Sequence, residues 1–99
     1  MITAKKLQRS YNKLYANLRE YIWPYYIISS IADLEIETYQ TFPDSQKLRG
    51  IFNNLRVECT RLVGDDEDLN GSFEEYNELL NDSNHIYAKL NSRLESDVK

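Results

Sequence analysis

The chain has little of what most functional signatures are made from. In 99 residues it carries one cysteine, Cys59, one histidine, His85, three glycines and two prolines. A lone cysteine excludes an internal disulfide and suits a reducing compartment. One cysteine and one histidine cannot supply the several nitrogen and sulfur ligands of a structural zinc site, so neither metal nor cofactor is expected. There is no glycine-rich phosphate loop, no nucleophile-elbow serine and no pair of histidines, so an enzyme is not expected either. Turn residues are too few for a β-sandwich or barrel, which needs one every ~8–12 positions.

Long apolar runs are also missing. The longest uncharged stretch, residues 21–32, falls short of the roughly 20 apolar residues that span a bilayer. The start, Met1 to Lys6, is polar and leads into no apolar segment of the kind a secretory signal has. A cytoplasmic location without a membrane partner is the expectation. Charged residues at 28% and apolar residues at 41% fit a folded globular chain, and the length fits a single domain over 1–99.

What is present is helical periodicity. Leu7, Tyr11, Leu14, Leu18, Tyr21, Tyr25, Ile28 and Ala32 recur three and four apart, and the stripe crosses Pro24 in register. A proline inside a helix removes one N–H and clashes with the carbonyl four residues back, so three outcomes compete. The region is a continuous helix kinked at Pro24, or a helix restarts with Pro24 in its first turn, or an apolar link leads to a new helix capped by Ser30. The unbroken register favours the kink, with an end near Phe42.

Pro43-Asp44-Ser45 then supplies a breaker and a cap, and Leu48, Phe52, Leu55, Cys59 and Leu62 form the next stripe, closed by Gly64. Gly50 weakens that helix or admits a close neighbour. An acidic loop over 65–71 follows. Ser72 with Glu75 reads as a capping box opening a last helix of about 72–95, along Phe73, Tyr76, Leu80, Tyr87, Leu90 and Leu94. The fold class is therefore all-α, a small helical bundle of three helices with the first long and kinked at Pro24, or of four if the chain reverses there.

Local chemistry is sparse. Cys59 lies on an apolar stripe, and His85 lies beside one. Asp66-x-Asp68-x-Asn70-Gly71 has the spacing of the first half of an EF-hand loop, but the twelfth position is Asn77 where that motif needs a bidentate glutamate. A short acidic turn explains the same residues. Lys5, Lys6, Arg9, Lys13 and Arg19 make the first helix basic, while residues 65–82 hold eight acids and no base. With a net charge of −4, nucleic acid is not an expected partner.

The feature that stands out is "YIWPYYII", residues 21–28, with rings on all sides of a helix. Tyrosine and tryptophan are favoured at interfaces because a rigid ring offers apolar area while its polar atom tolerates water. Tyr21, Trp23, Tyr25 and Tyr26 are the candidate partner-binding residues. The expected function is a small acidic protein–protein interaction module, an adaptor, assembly factor or inhibitor, that forms a homo-oligomer, a dimer foremost. The alternatives are a nucleic-acid-binding or nucleic-acid-mimic protein and a calcium-responsive module using the 66–77 acidic loop.

Overall fold

A computed structural model describes residues 4–81 of the chain. Among these residues there are four helices and no strand: α1 Ala4–Leu18, α2 Tyr25–Thr38, α3 Ser45–Val63 and α4 over residues 67–81.

The chain breaks at Pro24 instead of kinking. Trp23, preceding a proline, is steered away from helical angles, and Pro24 itself is extended at φ −61°, ψ 160°. The last turn of α1 tightens, with Glu20 N–H donating to the Asn17 carbonyl and Tyr21 N–H to the Leu18 carbonyl. The Trp23 indole N–H also donates to the Leu18 carbonyl at 2.7 Å. A fresh helix starts from the Pro24 carbonyl, which accepts from Ile27 and Ile28 N–H. Ser30 is inside this helix and donates to the Tyr26 carbonyl, so it caps nothing. The helix stops at Thr38, short of Phe42, with Tyr39 as its C-cap.

The break changes which face is buried. Inward residues run Leu7, Tyr11, Leu14, Leu18, then Trp23, Ile27, Ile31, Leu34 and Thr38. Tyr25, Ile28 and Ala32, which continue the α1 stripe in the sequence, point outward. Two apolar stripes on opposite faces of α2 imitate one stripe running through the proline.

α3 follows its local signals. The Asp44 side chain accepts from Gln46 and Lys47 N–H, and Gly64 closes the helix at φ +69°, a conformation glycine takes without strain. Leu48, Phe52, Leu55 and Cys59 are buried, while Leu62 is half exposed and its neighbour Val63 packs against the core instead. α4 begins at residue 67 instead of 72. Asp66 accepts from Leu69 N–H at 3.1 Å and its carbonyl starts the helix by accepting from Asn70 N–H. Ser72 is therefore an interior residue whose hydroxyl donates to the Asp68 carbonyl. The expected continuation to residue 95, with His85, lies outside the described residues.

Cross-helix contacts give the topology. Lys13 pairs with Glu75 at 3.2 Å, Asn17 donates to the Asp68 carbonyl and to Ser72 Oγ, and Tyr21 donates to Asp66, so α1 and α4 are antiparallel. Arg49 with Asn81 and Arg56 with Glu74 make α3 and α4 antiparallel. Tyr39 at the end of α2 reaches back to Asn12 at 3.0 Å, so α2 returns along α1. The result is an up-down-up-down four-helix bundle. Phe52 stacks on Tyr76 with ring centroids 5.1 Å apart and meets Phe73 edge-on at 5.7 Å, and Thr38 and Tyr76 hydroxyls pair at 2.8 Å.

Candidate protein-binding surface

The four residues singled out in the sequence separate in the fold. Trp23 is buried, tilted against Tyr21 at 5.2 Å, and its indole N–H closes the α1 terminus, so it is a core residue and is corrected from a surface contact. Tyr21 is half-buried and its hydroxyl donates to the Asp66 carboxylate, which fastens the α1–α2 link to the start of α4. That hydrogen bond holds the Tyr21 phenol above its usual range. The same bond, with a second from Leu69 N–H, holds the Asp66 carboxyl below its own. Tyr25 and Tyr26 are exposed, Tyr25 at 84%.

Along the outside of α2 and in the links at its two ends are exposed apolar residues that the sequence did not announce. Ile22 is 101% exposed and Phe42 84%, and Ile28, Ile36 and Tyr39 are each about half out. At 100° per residue, Tyr25, Ile28, Ala32 and Ile36 fall within an arc of about 80° on the side of α2 away from its buried residues, and Tyr39, the C-cap, follows them with its ring edge-on to Tyr11 and its hydroxyl on Asn12. α2 is the most apolar and least amphipathic of the three helices described end to end. That double-sided character is the signal that could have located the surface from sequence. A run of apolar positions wider than one buried stripe must show some of them to water.

Between α1 and the start of α2 the surface dips into an apolar groove of about 300 Å³, lined by Tyr15, Leu18, Arg19, Ile22, Trp23 and Ile28 among others. Arg19 brings the one charge in its wall. Near the opposite end of the helix is the exposed Glu35, and the buried Tyr11 phenol of α1 is pushed up, by burial first and by the Glu35 carboxylate second. The groove and the outer stripe of α2 meet at Ile28, with Arg19 at the groove and Glu35 towards the far end of the helix.

The other candidate sites fare differently. Asp66, Asp68 and Asn70 sit at the start of α4 and within it, at alternate positions, so their side chains fan around the helix instead of converging as an EF-hand loop requires. Among the described residues no group of three or more His, Cys, Asp or Glu side chains is placed to hold a metal ion. Glu74 and Glu75 are occupied by Arg56 and Lys13 inside the bundle's own ion pairs. Tyr11, interleaved with the basic residues of α1, is buried. Cys59 is buried, and desolvation pushes its thiol up to about 12, which keeps it un-ionised and inert at neutral pH. No described helix is long and apolar enough to cross a membrane.

No family model, no curated protein and no solved structure matches this chain.

Proposed function

We propose that the protein acts by binding another protein through the outer face of α2, as an adaptor, assembly factor or inhibitor without catalytic chemistry of its own. One observation supports the reading above the rest: α2 is apolar on both sides, with Tyr25, Ile28 and Ile36 exposed on its outward side and Ile22 and Phe42 exposed in the links at its two ends. Scattered exposed apolar residues are ordinary, but a row of them along one helix face marks an interaction surface. Its composition fits, since aromatic rings and isoleucines beside a small groove are what interface anchors consist of. The free buried thiol of Cys59 suits the reducing cytoplasm.

A photo-cross-linking residue placed at Tyr25 in the native host tests this, with the same residue at Val57, exposed on α3, as the control. The Tyr25 probe should give discrete protein adducts that the Val57 probe does not. Equal adduct patterns, or none from either, would reject the surface.

A further inference from the structure

The outer face of α2 is symmetric in sequence about Ala32 over its isoleucines and tyrosines. From Ala32, isoleucines stand four residues away on either side, Ile28 and Ile36, and tyrosines seven residues away, Tyr25 and Tyr39. Ten residues away, in the two flanking links, are the exposed Ile22 and Phe42. The centre is a small exposed residue, which lets two helices approach closely. Across a two-fold axis beside Ala32 each residue meets the residue at the mirrored offset, so on this face isoleucine would meet isoleucine and tyrosine would meet tyrosine.

We infer that the occupant of this face is a second copy of the same chain, packed with its α2 antiparallel to the first and the two-fold axis passing beside Ala32. The inference rests on the binding surface proposed above and names its partner. In this arrangement Ile28 meets the partner's Ile36, Tyr25 meets the partner's Tyr39, and the two Ala32 residues face each other at the axis. The partner's Phe42 comes to the end of the stripe where the groove beside Ile22 opens. Charge favours the pairing along one edge and opposes it along the other, where Asp33, next to Ala32, lies near its own copy. Such an axis keeps the α1 sides of the two copies together while reversing their ends, so Arg19 of one copy lies along the same edge as the partner's Glu35, twice. The area agrees. Exposed rings and isoleucines each offer on the order of 100–200 Å², so the stripe can bury on the order of 800 Å² per copy, the share of each partner in a standard stable interface.

The test uses the full chain, with buried Cys59 as a silent background. Sedimentation at tens of micromolar should show a two-chain species, and Ala32→Arg, which sets two cations against each other at the axis, should weaken it by about thirtyfold or more. Ala32→Cys should form an interchain disulfide under mild oxidation, since only residues near the axis bring their own Cβ atoms within about 4 Å of each other. Ile28→Cys and Ile36→Cys should cross-link only when the two variants are mixed. A single-chain species up to several hundred micromolar overturns the pairing, as does disulfide formation by Val57→Cys as fast as by Ala32→Cys. If the Tyr25 probe captures a different protein while the chain sediments as one copy, the binding face stands and the self-pairing falls. If it captures nothing, both fall.

Discussion

The Trp23 indole N–H donates to the Leu18 carbonyl at 2.7 Å, and this bond joins the end of one helix to the link that reverses the chain. The helix terminus leaves carbonyls without intrahelical partners, and the buried tryptophan supplies one donor while filling the bundle's end. Trp23→Ala is therefore expected to cost about 3–5 kcal/mol in folding, the range for a large buried ring, and Trp23→Phe less, since it keeps most of the volume and loses the hydrogen bond. Tyr26→Ala, on an exposed ring, should stay within about 0.5 kcal/mol. Denaturant unfolding of the three variants decides it. Equal losses at Trp23 and Tyr26 would contradict the burial of Trp23.

Two of the three glycines sit in helices with open space where a side chain would be. A Cβ at Gly50 in α3 or at Gly71 in α4 meets nothing within 4 Å. Alanine should therefore stabilise the protein by about 0.5–1 kcal/mol at each site, through the smaller entropy of the unfolded chain. Gly64, at φ +69°, should show the opposite sign although it too has room, because the strain there is in the backbone. Melting temperatures of the three alanine variants test the contrast.

These two results trace what the sequence could and could not reveal. α3 is legible throughout: Asp44 caps it, Gly64 stops it, and Leu48, Phe52, Leu55 and Cys59 face the core, because its local signals and its packing agree. α2 was misphased because Tyr25, Ile28 and Ala32 continue the spacing of α1 while Ile27, Ile31 and Leu34 carry the burial. Periodicity cannot tell two apolar faces apart. Ser72 reads in the sequence as the start of α4, but the helix has an earlier start, after Asp66. The earlier one prevails because it buries Leu69 and aims Ser72 at Asn17 of α1, contacts that are long-range and invisible to a local reading. The exposed apolar face of α2 was legible only where the 21–28 run covers it. Ile36, Tyr39 and Phe42 lie beyond the aromatic run that drew attention to it.

Two buried tyrosines give a paired prediction about hydrogen bonding. Tyr76 shares a hydrogen bond with Thr38, whereas the buried Tyr11 hydroxyl has no partner among the described residues. Removing a satisfied hydroxyl loses a bond and leaves Thr38 bonded only to the Leu34 carbonyl, while removing an unsatisfied one relieves a desolvated polar atom. Tyr76→Phe should destabilise by about 1 kcal/mol, and Tyr11→Phe should be neutral or stabilising. Denaturant midpoints at constant slope separate the two. A loss at Tyr11 as large as at Tyr76 would show that its hydroxyl is bonded.

Asp66 makes the start of α4 sensitive to acid. Its carboxylate accepts from the Tyr21 hydroxyl and from Leu69 N–H, and both bonds favour the charged form, so its folded-state pKa lies below the unfolded value of about 3.9. Between those two values the unfolded chain binds more protons than the folded one, so stability rises with pH across that window. The contribution is present in full above about pH 4–5 and is lost as pH falls through the folded pKa. Tyr21→Phe removes the hydrogen bond that chiefly lowers the carboxyl, and Asp66→Asn removes the titration altogether while keeping a capping oxygen. Melting temperature followed from about pH 5 down to pH 2 should fall less steeply for both variants than for the wild type, with Asp66→Asn the flatter of the two. Slopes unchanged from the wild type in both would mean that other carboxylates govern the acid transition and that the Tyr21–Asp66 bond contributes nothing to it.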